Sequence, residues 1–215
     1  MGRGPVGEPA IIRYVNNSLA SVTDVSNTDG AMILIKTLTA SSDNTLSFVN
    51  GASDVVLDST YPIYLFKFIN IHPSAEGGQL TINFRDGGSA YDATKTSTVF
   101  QAHHKEDGSQ SALAYNASKD VAQGTGTQIL TVDGMDDNDS SISGFVALYN
   151  PSSTTFVKHF MGDSQGMGSS TPPTSMQRLA AGYVNVTAAI DGVQFAMSSG
   201  NIDAGTIKLY GIKDS

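Results

Sequence analysis

Two runs near the end of the chain constrain its fold most. Val193, Phe195 and Met197 alternate with Gln194, Ala196 and Ser198, and Ile207 and Leu209 alternate with Thr206, Lys208 and Tyr210. A period of two sends successive side chains to opposite faces of an extended strand, so each run is a strand with one apolar row. Ser198-Ser199-Gly200-Asn201 between them carries turn chemistry. The pair is therefore expected to close as a half-buried antiparallel hairpin.

The same grammar recurs upstream. Strands are expected at Met32–Leu38, Leu46–Val49, Val55–Leu57, Ile63–Ile71, Leu80–Arg85, Thr98–Phe100, Gln128–Val132, Gly144–Tyr149, Thr155–Phe160 and Leu179–Val186. Asn50-Gly51 reads as a hairpin-type turn between the second and third of these. Ile63–Ile71 is the longest apolar run and reads as a central strand. Ser111–Tyr115, inside the stretch 105–122, is the one candidate for a short helical turn, and Gly168–Ser175 reads as an exposed loop. Charged residues make up only 15% of the 215 residues, too few to solvate the outer faces of long helices. Twenty-two glycines suit short strands and turns instead. The expected fold is all-β, a single antiparallel β-sandwich over residues 29–215.

Residues 1–28 differ in character. Gly2, Gly4, Pro5, Gly7 and Pro9 precede a short apolar patch, Ile11-Ile12-Arg13-Tyr14-Val15, and then a polar run. The segment reads either as a floppy tail or as an extended N-terminal arm that orders on a partner, and an arm is expected to pair with a neighbouring subunit as an added strand. It lacks the apolar core of a secretory signal, and a soluble protein without a cleaved leader is expected.

Twenty acidic against twelve basic residues give a net charge of −8. Such a surface repels phosphate backbones and anionic lipid, so neither nucleic acid nor a membrane is an expected partner. The absence of cysteine excludes disulfides and thiolate zinc sites.

Several motifs invite a chemical reading. Gly162-Asp163-Ser164-Gln165-Gly166 fits G-x-S-x-G, whose serine needs a strand-to-helix elbow and a nearby base. The following Met167-Gly168-Ser169-Ser170-Thr171-Pro172-Pro173 is no helix, and His159 is poorly placed on the preceding strand. The expected structure is a glycine-rich loop after a strand. Asp133–Ser140 offers calcium-type oxygen ligands without the EF-hand spacing, so it reads as a solvated acidic loop. His103 and His104 are adjacent, which points them to opposite faces of a strand and away from a shared metal. His72 and His159 lie far off in sequence. Tyr91-Asp92, Tyr115-Asn116 and Tyr149-Asn150 combine a ring with polar groups, as glycan sites do, although rings of this kind also fill sandwich cores. Gln123–Thr127 lacks the lysine and helix of a phosphate loop. No catalytic, cofactor-binding or metal-ligating residue is assigned.

Three stretches carry a resemblance. Phe195-Ala196-Met197-Ser198-Ser199-Gly200-Asn201-Ile202 with Gly205–Ile212, Tyr149–Phe160, and Asn50–Asp58 resemble small virion structural proteins of tailed bacteriophages, notably marine ones. The resemblance covers about residues 31 to 212 and leaves out the N-terminal segment. It implies a jelly-roll-like β-sandwich, oligomeric, carried on a virion assembled in the host cytoplasm. Gly200 and Gly205 then suit loop conformations with positive φ, Phe195, Ile207 and Leu209 the core, and Gly211 a close approach. With its arm, one domain and no fibre repeat, the chain is expected to be a non-enzymatic capsid decoration (cement) subunit contacting other virion proteins. A symmetric homotrimer is the expected assembly. The alternative is a tail-appendage or tail-fibre module that binds a receptor or host surface glycan. A hydrolase using Ser164 is the remaining reading.

Overall fold

A computed structural model describes residues 31–131 and 134–213, together with the strand pair Tyr14–Val15 and Ser18–Leu19. Residues 1–30 and 31–215 form separate compact units. In the first, β1 (Tyr14–Val15) pairs with β2 (Ser18–Leu19). The remainder of the arm expected over residues 1–28 lies outside the described residues.

The second unit is an all-β sandwich of two antiparallel sheets, and the described residues contain no helix. Its strands are β3 (Met32–Thr39), β4 (Thr45–Val49), β5 (Ile63–Pro73), β6 (Leu80–Arg85), β7 (Lys95–Lys105) and β8 (Ser111–Tyr115). They continue as β9 (Gln128–Ile129), β10 (Ile142–Tyr149), β11 (Lys158–Gly168), β12 (Thr174–Val184), β13 (Gly192–Met197) and β14 (Ile202–Ile212). One sheet has the order β3-β14-β5-β10-β11-β12-β7-β8, the other β4-β13-β6-β9.

The core lies between the sheets. Phe66 from the large sheet meets Phe48 and Phe195 from the small one at ring separations of 5.3 and 5.7 Å. A second ring pair, Phe84 with Phe160 at 5.3 Å, joins the sheets further along. All five rings are fully buried. Full burial of such side chains contributes roughly 1.5–3 kcal/mol each, which makes these rings principal cement between the layers. Tyr64 adds a polar tie: its hydroxyl accepts from the Asp58 N–H and donates to the Asp58 carbonyl, both at 3.0 Å.

The inward residues of the last two strands are as the alternation requires: Val193, Phe195, Ile207 and Leu209 are all fully buried. Their pairing differs. β13 lies between β4 and β6, and β14 lies between β3 and β5, so the expected hairpin is instead a crossing from one sheet to the other. Alternation specifies which side chains face the core, but two strands on opposite walls of that core satisfy it equally well. Gly200 and Gly205 do adopt positive φ, at 67° and 108°. Gly205 lies where the β14–β5 ladder shifts register, and a Cβ there would meet the Asn70 carbonyl oxygen at 2.5 Å. Gly211 admits the Tyr61 ring, which a Cβ would strike at 2.3 Å.

Three other local expectations are corrected. Asn50-Gly51 does not turn into a partner strand: residues 50–57 close a compact loop, with the Asn50 side chain accepting from the Leu57 N–H at 2.9 Å. Val55 and Leu57 are buried from that loop without joining a ladder. Ser111–Tyr115 is strand β8, paired with β7. Five residues are too few for a stable helix, whereas Gly108 at φ 72° allows the turn that returns the chain along β7. Finally, Gly162–Gly168 is the second half of β11 rather than a loop, and the loop expected over 168–175 shortens because β12 begins at Thr174.

Candidate functional site

β11 separates the two members of the suggested nucleophile pair. Ser164 faces inward and is 2% exposed, and its Oγ donates to the Leu130 carbonyl at 2.6 Å. His159, an odd number of residues away, faces outward, where its ring makes a T-shaped contact with Tyr183. A serine bonded to a backbone carbonyl beneath the sheet has neither a base nor a route to substrate.

The other sequence candidates are dispersed. Asp136 Oδ1 accepts from the N–H groups of Asn138, Asp139 and Ser140 at 3.1 to 3.2 Å, which hold its carboxyl below the usual range. That carboxylate is engaged in ordering its own loop. Asp133 lies outside the described residues. His103 and His104 stand on β7, opposite Met176 and Ser175 of β12. His72 lies 3.8 Å from Asp203 on β14. Among the described residues no three His, Asp or Glu side chains come together to hold a metal ion. The Thr125 carbonyl of the Gln123–Thr127 stretch accepts from Asn83 and Lys95. Tyr91 lies under the Arg85 guanidinium, itself ion-paired with Asp191 at 2.8 Å. Tyr115 pairs edge-on with Phe100 and donates to Asp120. Tyr149 stands at the end of β10 beside Ile63.

Three buried cations were not legible as a group. Lys95 Nζ donates to Asn83 Oδ1 at 2.6 Å and to the Ala93 and Thr125 carbonyls at 3.2 and 3.5 Å. Lys158 Nζ donates to the Val186 and Ala188 carbonyls. Arg178 donates to the Thr131 carbonyl and to Gln101 Oε1. Each supplies donors to carbonyls of irregular segments, which is how loops can be packed against a sheet without orphaned polar groups. Burial without a touching carboxylate pushes the Lys95 amine down to about 8 and lowers Lys158 as well. Lys158 sits two residues before buried Phe160, so its inward direction was available from the strand period.

The largest unassigned feature is the outer face of the eight-stranded sheet. Cross-strand register lays its outward residues in rows. One row runs Leu34, Tyr210, Leu65, Ala147, Met161, Ala181, Thr98 across seven strands. The next runs Thr37, Lys208, Lys67, Phe145, Asp163, Leu179, Phe100, Tyr115. Leu34, Phe145, Met161, Leu179, Phe100 and Tyr115 are each 40–54% exposed. An antiparallel sheet facing water on one side ordinarily carries polar residues there. The first row breaks that rule from Leu34 to Ala181, and the second breaks it at Phe145 and from Leu179 to Tyr115, beside the polar Thr37, Lys208, Lys67 and Asp163.

Depressions mark the face. A mostly apolar groove of about 380 Å³ is lined by Thr96, Thr98, His159, Met161, Ala181 and Tyr183 among others. A more polar one of about 450 Å³ is lined by His103, His104, Ser111, Gln165, Ser175 and Gln177 among others. Beside the latter, Gln177 Nε2 donates to both Asp163 oxygens at 3.0 Å, and Gln165 Nε2 donates to Ser175 Oγ at 3.0 Å. No protein-family model, curated protein or solved structure matches this chain.

A sequence signal for this face existed. The stretch Ile63–Ile69 is apolar at alternate and intervening positions alike, with Lys67 the sole exception, and such runs belong to strands covered on both sides. Tyr64, Phe66 and Phe68 enter the core, while Ile63, Leu65 and Ile69 have only the outer face.

Proposed function

We propose that this chain is a non-enzymatic virion structural protein of a tailed bacteriophage, a decoration subunit of the capsid surface that works by binding its neighbours. The carrying observation is the broad, apolar, solvent-facing side of the large sheet, since contiguous patches of this kind mark association surfaces. Two further features support the reading. Omitting the hairpins β7-β8 and β11-β12 leaves β3-β14-β5-β10 facing β4-β13-β6-β9, eight strands that pass between sheets as in a jelly roll, a fold used by many capsid proteins. Among the described residues the sheet ends at β3 and at the wholly exposed β8, terminal strands that offer backbone groups for an added strand. In this reading residues 1–28 and one sandwich edge attach the subunit to the shell, and copies associate with one another.

The polar depression beside Phe100 and Tyr115 favours a second reading, a tail-appendage module that binds a host surface glycan. Amides, a carboxylate and flat rings are the groups a sugar needs. A density map of the particle whose genome encodes this chain separates the two, since decoration predicts regularly repeated density on the shell and the alternative predicts density on the tail. Absence of the chain from purified particles by mass spectrometry overturns both. A protein lacking residues 2–28 is expected to fold but not to join particles.

A further inference from the structure

We infer that the outer face of the eight-stranded sheet is a two-fold interface with a second copy of this chain, its axis running along β10. The inference draws on the same face as the virion reading and assigns that face to a second copy, but its test reads self-association and is separate from incorporation into particles.

Symmetry and charge select the arrangement. Lys67 and Asp163 flank Phe145 on either side of β10, in one cross-strand row. Among the described residues neither forms an ion pair within the chain. Two such faces packed with an axis along β10 bring β5 of each copy over β11 of the other, so Lys67 of each faces Asp163 of its partner twice over. An axis between β5 and β14 would instead set Lys67 against Lys208, like against like. Like charges in juxtaposition exclude a register as strongly as unlike charges favour one.

Shape agrees with charge. The same operation lays Leu65 over Met161, and carries β14 and β3 over β12 and β7. Large outward side chains of the first pair, Tyr210 and Leu34, then face the groove floored by Ala181 and Thr98 in the second. Ala147, small and central, lets the sheets approach at the axis.

Size agrees as well. Seven strands, three on each side of β10, take part. At about 4.8 Å between strands and about 6.8 Å between outward residues, these two rows with the flanking ones through Ile63, Tyr149, His159, Tyr183 and Thr96 and through Ser143, Gln165, Gln177 and Ala102 cover roughly 800 Å² per copy. The total, roughly 1,600 Å², is that of a standard stable interface. A two-fold pair differs from the trimer expected on sequence grounds and follows from the self-complementary row.

The test uses full-length protein in sedimentation equilibrium at low and high salt. A dimer is expected, weakened at least about tenfold in dissociation constant by Lys67→Glu or by Asp163→Lys, and recovered in the Lys67→Glu/Asp163→Lys double variant. Unchanged far-UV circular dichroism of each single variant excludes misfolding as the cause. Because the chain has no cysteine, Phe145→Cys provides a single thiol beside the axis, and a short bismaleimide is expected to join two copies through it. A monomeric full-length protein overturns the proposal, whether or not residues 31–215 alone associate. So does a dimer or trimer indifferent to both charge reversals, which would place the contact elsewhere.

Discussion

Replacing Lys95 by methionine should flatten the rise of stability with pH that this buried amine produces. Lys95 is fully buried, and its Nζ donates to Asn83 Oδ1 and two backbone carbonyls with no carboxylate in contact. Burial lowers its pKa from 10.5 to about 8, only partly opposed by the more distant Asp92. At pH 7 the amine is protonated in both folded and unfolded chains. Above pH 8 the folded protein releases the proton first, while the unfolded chain keeps it until near 10.5. The unfolded state then binds more protons, and stability must rise with pH. Between pH 7 and 9.5 the gain is about 2 kcal/mol, or about 1 after allowance for screening by nearby solvent. Lys158, also lowered, adds a smaller change of the same sign that the variant retains. Tyr64, pushed up to about 12, acts in the opposite sense only above pH 10. Urea unfolding followed by far-UV circular dichroism at pH 7 and 9.5 provides the measurement. Equal pH increments in the wild type and Lys95→Met would refute the assignment of the shift to Lys95. At pH 7 the substitution no longer buries a charge but strands Asn83 Oδ1 and the Ala93 and Thr125 carbonyls, so a net loss of about 1–3 kcal/mol is expected there.

Three further outcomes follow from the packing. Phe66→Ala removes the ring that meets both Phe48 and Phe195 and is expected to cost about 3–5 kcal/mol in denaturant unfolding. A loss below about 1 kcal/mol would contradict the role given to these rings. Gly205→Ala forces a Cβ against the Asn70 carbonyl at φ 108°, and a loss of at least about 2 kcal/mol is expected. Ser164→Ala strands the Leu130 carbonyl and should lower stability by about 1–3 kcal/mol. Labelling of native Ser164 by a serine-directed phosphonate would show that this hydroxyl is not held as described.

Much of the fold was legible because alternation is local. The period places Val193, Phe195, Ile207 and Leu209 inward, and turn chemistry marks the positive-φ glycines 200 and 205, although Gly205 lies within β14 rather than in a loop. At Gly211 a side-chain ring, Tyr61, makes the close approach where another backbone is expected. Strand partners were not. The hairpin expected from residues 193–209 fails because β13 and β14 line opposite walls of one core, a relation that depends on all the intervening chain. Ser111–Tyr115 was misread for a related reason: it is exposed on every residue and becomes a strand only because β7 offers its edge. The G-x-S-x-G stretch carries a loop signal in the sequence because glycine favours loops locally. Here Gly162, Gly166 and Gly168 instead occupy buried, inward positions of a long strand.

By itself, then, the sequence determined an all-β sandwich, which side chains fill it and where the backbone needs glycine, since period and turn chemistry are properties of a few neighbouring residues. Tertiary structure alone decided which strands adjoin, that β11 continues through the glycine-rich stretch to Gly168, and that Lys95, Lys158 and Arg178 feed donors to loop carbonyls. It also gathered outward residues from strands far apart in sequence into one apolar face. Adjacency across a sheet is set by the whole winding of the chain, and no local pattern encodes it.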